Sequence, residues 1–237
     1  LKMPILGYGV YQVEPEECER CVLDAIDVGY RLIDTAQAYN NEEGVGNAMA
    51  KSGVPREQLF STTKVWISNA GYDKAKASIE QSLNKLRTDY IDLLLIHQPF
   101  NDYYGSYRAM EEAYKAGQLK AIGVSNFYPD RLIDLGQFVD VVPTVNQVET
   151  HVFQQQQKEH AIMAKYKVQH QSWGPFAEGR KDFFANTTLS DIGAKHGKTA
   201  AQLALRFLIQ SDEVVIPKTG SREPLLQNFD VFDFRPM

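Results

Sequence analysis

Four side chains in the first hundred residues combine types that can move a proton. Asp34 closes the apolar run RLID, Lys64 closes FSTTK, His97 closes IDLLLIH, and Tyr39 stands five residues past Asp34 in the loop beyond. A tyrosine is a weak acid, with a reference pKa of about 10, and a neighbouring ammonium lowers that value by stabilising the tyrosinate. A carboxylate paired with the ammonium would hold it in place, and an imidazole within hydrogen-bond reach could orient a carbonyl or share its proton. Taken singly, Asp34 could cap the next segment, Lys64 could be a solvated strand end, and His97 a satisfied core histidine. Their joint position at the ends of apolar runs favours a shared role, because neighbouring strands of a barrel bring their ends to one mouth.

The elements that would carry them alternate along the chain. Strands are expected at 6–9, 31–34, 60–64, 91–97, 120–124, 144–148, 168–173 and 214–217, and helices at 15–28, 42–51, 72–85, 106–116, 129–135, 154–166 and 199–210, with an eighth after Ser221. The helical stretches repeat apolar residues at three- and four-residue intervals, and the LLLI run suits a strand buried on both faces. Gly29 and Gly117 fall where helices should stop, and Pro129 fits a first turn. Alternating strands and helices predict a parallel sheet with crossover helices. An open doubly wound sheet would be the alternative, but no G-x-G-x-x-G follows a strand; GYGVY at 7–11 leads to Pro15. The 237 residues have one even composition, so a single α/β domain, a (β/α)₈ barrel over 1–237, is expected.

Composition narrows the partners. A net charge of −5 without a basic cluster gives no footprint for nucleic acid or an anionic membrane. The longest aliphatic run, Leu93 to Ile96, is too short for a membrane span or a signal-peptide core, which predicts a cytosolic protein; a monomer is expected. Cys18 and Cys21 form a C-x-x-C inside a helical stretch, with no second cysteine pair, and read as helix cysteines rather than a redox or metal site. The five histidines, at 97, 151, 160, 170 and 196, show no ligand spacing with a matched acid, so no metal is expected; His160 and His196 read as surface helix residues.

The segments IDTAQAYNNEEGVGNA, TTKVW, LLLIHQP, IGVSNF, NQVE and VVIPKT, in that order, resemble the aldo-keto reductases, specifically the prokaryotic branch containing 2,5-diketo-D-gluconate reductase. The separations of 5, 25 and 33 residues between Asp34, Tyr39, Lys64 and His97 agree with that branch's catalytic set, and the likeness runs from about Met3 to Phe234. The resemblance implies a barrel that reduces carbonyls with a nicotinamide cofactor, with Tyr39 as proton donor. It implies that Ser125, Asn126 and Gln147 hold the nicotinamide carboxamide and that Trp173 stacks on its ring, although Trp173 could also be plain core packing. Phe176, Glu178 and Gly179 would lie in the loop over the pyrophosphate. Tyr11 and Trp66 would line the substrate pocket, an aromatic wall suited to small carbonyl compounds.

The last motif departs from the pattern. By resemblance, Lys218 and Thr219 hold the adenosine 2′-phosphate of NADPH and Asn228 contacts adenine, but Pro224 stands where the family usually has an arginine on that phosphate. Arg222, two positions earlier, could replace it; otherwise NADP preference should weaken and NADH becomes usable. The family's opening hairpin and its closing helix and tail, which helps wall the substrate pocket, fall largely outside Leu1–Met237. Two other functions fit a barrel of this kind: a cofactor-sensing scaffold of the sort the potassium-channel beta subunits represent, and a metal-dependent hydrolase or lyase. The intact set of four argues against the first, and the histidine spacing against the second.

Overall fold

The computed structural model describes residues 1–236. Eight parallel strands run in sequence order, β1 (Gly7–Gly9), β2 (Leu32–Asp34), β3 (Phe60–Val65), β4 (Leu93–Ile96), β5 (Ile122–Ser125), β6 (Val145–Glu149), β7 (Gln169–Trp173) and β8 (Val214–Val215). A parallel bridge between Leu6 and Val215 closes the ring, supported by the Val215 amide donating to the Ile5 carbonyl at 2.9 Å. Around it lie α1 (Pro15–Val28), α2 (Glu42–Lys51), α3 (Tyr72–Leu86), α4 (Tyr103–Lys115), α5 (Pro129–Phe138), α6 (Gln157–Lys165), α7 (Thr187–Ala194), α8 (Ala200–Gln210) and α9 (Arg222–Phe229). This is a (β/α)₈ barrel. Among the described residues no helix is long and apolar enough to cross a membrane.

The two-residue period of a strand sorts its side chains into two cores. Leu93 and Leu95 point into the barrel with Leu32, Phe60, Val145, Val214 and Ile216, while Leu94 and Ile96 point out and join the helix layer with Ile33, Ile122, Val124, Val148 and Val215. Continuing the inward parity toward the C-terminal ends gives Asp34 above Leu32, Lys64 above Phe60, His97 above Leu95 and Gln147 above Val145. An apolar plug thus fills the lower barrel and a polar layer sits on it. Gly123 belongs to the inward set of β5, where a Cβ would lie 2.5 Å from the Val145 carbonyl oxygen, so the narrow barrel needs glycine there.

Several boundaries differ from expectation for local reasons. The fourth helix starts at Tyr103 rather than Ser106, because Asp102 caps it by accepting from the Gly105 amide at 2.8 Å. The sixth starts at Gln157 rather than Gln154: His151 and Gln154 pair as a bridge, and Gln156 turns left-handed at φ 51°. The ladder of β4 covers only the core of the expected 91–97. Helix α7, capped by Asn186, has no counterpart in the sequence reading, and His196 falls in the turn after it rather than on a helix. Gly29, at φ 128°, and Pro129 end and begin helices as expected.

Candidate active site

The four predicted residues meet at the C-terminal mouth. Lys64 is fully buried, and its ammonium donates to Asp34 Oδ1, to the Thr35 carbonyl at 2.9 Å and to the Tyr39 hydroxyl at 3.4 Å. Three donors and three acceptors satisfy it completely. Gln147 Nε2 donates to the other Asp34 oxygen at 2.7 Å, so both carboxylate oxygens are occupied. Burial disfavours the Lys64 ammonium, but Asp34 and then Tyr39 more than offset this and hold its pKa above the ordinary lysine value. Burial pushes the Asp34 carboxyl up as well, but Lys64 and Gln147 both donate to it and pull against that, so Asp34 anchors the Lys64 ammonium under the Tyr39 oxygen.

That oxygen behaves differently from the sequence expectation. Lys64 does pull the Tyr39 pKa down, but burial is the larger effect and the net direction is up. Tyr39 packs against Tyr11, with ring centroids 5.1 Å apart, and against His97 at 5.7 Å, which removes the water a tyrosinate would need. In the free protein the phenol keeps its proton. Because its oxygen already accepts from Lys64, the O–H is left to point into the cavity.

His97 is held as a neutral base. Burial, then the Lys64 charge, push its pKa down to about 3. Its Nδ1 is sealed without a partner among the described residues, so Nε2 is the nitrogen left to meet a ligand. The ring is wedged between Tyr39 and Trp66, the latter at 4.9 Å in an edge arrangement.

These groups open onto a cavity of about 660 Å³. Tyr11 and Trp66 line it as expected, and so do Ser125, Asn126, Gln147, Trp173, Phe176, Glu178, Gly179 and Lys218. Trp173 donates from its indole to Asn126 Oδ1 at 2.9 Å, and Asn126 donates to the His97 carbonyl at 3.1 Å, which fixes the indole relative to the histidine. Ser125 donates to the Gln147 carbonyl at 2.8 Å. Gln147 gives its second amide proton to Gln171 Oε1 at 3.1 Å, leaving its side-chain carbonyl as the group that can face a ligand. Lys218 is exposed at the rim, with no acidic partner among the described residues.

Lys64 is sealed beneath Tyr39 rather than on the cavity wall, and three predicted cofactor residues do not line the cavity either. Thr219 lies just beyond Lys218, its carbonyl accepting from the Tyr8 hydroxyl at 2.6 Å. Arg222 turns to the acidic face of α1, paired with Asp27 and lying 3.7 Å from Asp24. Asn228 is buried on α9, whose first turn contains Pro224.

Sequence reasoning passed over several supporting residues. Gln37 accepts from the Trp66 amide at 3.0 Å and from Asn69 Nδ2 at 2.9 Å, tying the turn that carries Tyr39 to the exit of β3. Asn41 accepts from Thr35 Oγ1 at 2.7 Å and donates to the Val10 and Val13 carbonyls, pinning the Asp34 loop to the chain after β1. The available signal for Gln171 was its parity with Trp173 on β7. A further group was missed altogether: His160, His170 and Glu213, whose nitrogen and oxygen atoms converge within 4.8 Å of one another outside the barrel. They come from α6, β7 and the turn before β8, and no linear spacing announces them.

Known proteins resemble the chain over nearly its whole length. Residues 6–237 match the model of the aldo/keto reductase family. Over 236 residues the chain is 44% identical to the methylglyoxal reductase DkgA of Escherichia coli strain K12, covering 98% of this chain and 85% of that protein. The crystal structure of a candidate 2,5-diketo-D-gluconic acid reductase B superposes with a TM-score of 0.94 at 40% identity, covering 98% of this chain and 83% of that one. A Bombyx mori aldo-keto reductase in complex with NADP superposes at 0.93 with 32% identity, covering 98% and 85%.

Proposed function

Since the chain belongs to the aldo/keto reductase family, we propose that the mouth cavity reduces small aldehydes, ketones or keto-sugar acids to alcohols with NADPH, Tyr39 donating the proton. The observation that carries this is the donor count around Lys64, which leaves the Tyr39 O–H as the proton source facing the cavity. The family makes the chain an NADP(H)-dependent oxidoreductase acting on carbonyl groups.

The residues fit the cofactor. Trp173 offers an indole face held by Asn126, Gln147 offers a carbonyl to an amide, and Lys218 offers a cation to a phosphate. When bound, the nicotinamide supplies the hydride that goes to the carbonyl carbon. The chain's own residues do the rest. His97 Nε2 and the Tyr39 hydroxyl bracket the position of the carbonyl oxygen, Tyr39 gives that oxygen its proton, and Lys64 stabilises the tyrosinate left behind. Asp34 keeps Lys64 charged throughout. Tyr11 and Trp66 exclude water from one side and select compact carbonyl substrates.

For cofactor preference, Lys218 supports NADPH. Arg222 can substitute for the family's arginine only by leaving Asp24 and Asp27, so the phosphate site rests mainly on one lysine and NADH remains usable.

The test is NADPH oxidation driven by methylglyoxal, 2,5-diketo-D-gluconate and a wider panel of aldehydes. Tyr39→Phe should lower kcat by about 10²–10⁴-fold, while NADPH still quenches the tryptophan fluorescence. A chain that binds NADPH but turns over none of the panel would refute the proposal.

A further inference from the structure

Outside the barrel, three side chains that the carbonyl chemistry does not use face one another. By strand parity His170 points away from Gln171 and Trp173, toward the helix layer, and Glu213 shares the outward parity of Val215. His160 reaches the same spot from α6. His170 Nδ1 lies 2.9 Å from His160 Nδ1 and 3.8 Å from Glu213 Oε1, and His160 Nδ1 lies 4.0 Å from that oxygen.

We propose that His160, His170 and Glu213 form a binding site for one borderline transition-metal cation of the zinc type, clamping α6 to the β7–β8 edge of the barrel. Two imidazoles and a carboxylate are a donor set for such ions and not for magnesium or calcium, which take oxygen ligands.

The hydrogen bonding prepares the ligands. Thr150 Oγ1 lies 2.8 Å from His170 Nε2, a contact that holds the ring with Nδ1 turned to the cluster, as an outer partner orients a metal-ligating histidine. Glu213 is 3% exposed, meets no lysine or arginine among the described residues, and its Oε2 has no hydrogen-bond partner. An acid with an unpaired oxygen in a buried site can ligate a cation that displaces its proton.

The spacing is close to what an ion needs. Tetrahedral zinc with bonds of about 2.0–2.2 Å sets neighbouring ligand atoms roughly 3.3–3.5 Å apart. The imidazoles would separate, and the carboxylate approach, by about half an ångström each. His160 is one-third exposed, so the ion has a path in and a fourth position for water.

The experiment strips the full chain with EDTA and titrates it with zinc chloride against a chromophoric chelator, following thermal unfolding in parallel. One equivalent should bind and raise the unfolding midpoint. His160→Gln, at a partly exposed position that tolerates change, and Glu213→Gln should each weaken binding at least about tenfold and abolish the midpoint shift, while turnover of carbonyl substrate without zinc stays as in the parent. Substoichiometric binding, or affinity unchanged in both variants, overturns the site. Cobalt(II) adds a separate readout. A four-coordinate d–d spectrum without thiolate charge transfer supports the three ligands, whereas a thiolate band assigns the ion to Cys18 and Cys21 and refutes the proposal.

Discussion

At the mouth, the buried carboxylate of Asp34 meets a donor on each oxygen; at the outer wall, the buried carboxylate of Glu213 lies 3.8 Å from one imidazole and has nothing on its second oxygen. Both acids sit beside buried nitrogen groups, on opposite faces of the same barrel wall. The mouth has closed its electrostatics internally, so its charges are fixed and ready before any ligand arrives. The outer cluster has not, and its uncompensated acid is an address for something that brings positive charge. Removing a charge should therefore have opposite consequences in the two places.

The largest effect is expected at Lys64. Lys64→Met strands Asp34 as a buried charge, and removing one partner of such a pair costs about 3–5 kcal/mol. Urea unfolding should show that loss, and turnover should fall with it because Tyr39 loses its tuning cation. The double variant Asp34→Asn/Lys64→Met should regain most of the stability and none of the turnover. A single variant as stable as the parent would mean that the mouth pair is not the closed unit its geometry describes.

Lys218 is a charge without an acidic partner among the described residues, at the edge of a site. Lys218→Met should raise the KM for NADPH about tenfold or more, the scale of one charged hydrogen bond, and leave the KM for NADH unchanged. Equal effects on both cofactors would remove Lys218 from the phosphate site and leave Arg222 as its occupant.

How much of this could be read from the chain depends on whether the information is local. The mouth was legible because Asp34 and His97 terminate apolar runs and Lys64 follows the strand-favouring FSTT, and strand parity then fixes which way each points. The Tyr39 pKa direction was not, since it turns on packing against Tyr11 and His97, and burial outweighs the ammonium that the sequence does reveal. Helix α7 was missed because TTLSDIGA is short and carries a glycine in its last turn, so only its Asn186 cap and its packing define it. The outer cluster was invisible for a different reason: His160, His170 and Glu213 belong to three elements, and the closure of the barrel alone makes them neighbours.

Glu213→Gln tests the outer half of the contrast. Burial pushes the Glu213 carboxyl from 4.5 to about 8. The folded chain thus holds a proton that the unfolded chain releases, so the stability this group contributes is complete below pH 4.5 and is lost as pH rises through 8. In EDTA, Glu213→Gln should match the parent near pH 4.5 and exceed it at pH 8, gaining about 1.4 kcal/mol for each intervening pH unit at most. Added zinc should narrow or reverse that gap, because the parent binds it at least about tenfold more tightly. Parallel pH curves for the two proteins would show that Glu213 is not held in the environment described.

A further comparison separates burial from catalysis within the mouth itself. His97 is neutral when folded, with its pKa pushed down from 6.5 to about 3, whereas the unfolded chain protonates it normally. Below pH 6.5 the unfolded state therefore binds the extra proton, and His97 costs stability progressively as pH falls toward 3. The slope is about 1.4 kcal/mol per pH unit. His97→Gln lacks this proton, so the stability difference between parent and variant should shrink from pH 7 to pH 4. The activity profile of the parent should show no inflection from His97 in that range, because the folded imidazole does not titrate there. An inflection near pH 6.5 that disappears in His97→Gln would mean that the ring is solvated and charged at work. The mouth would then share the open electrostatics of the outer wall.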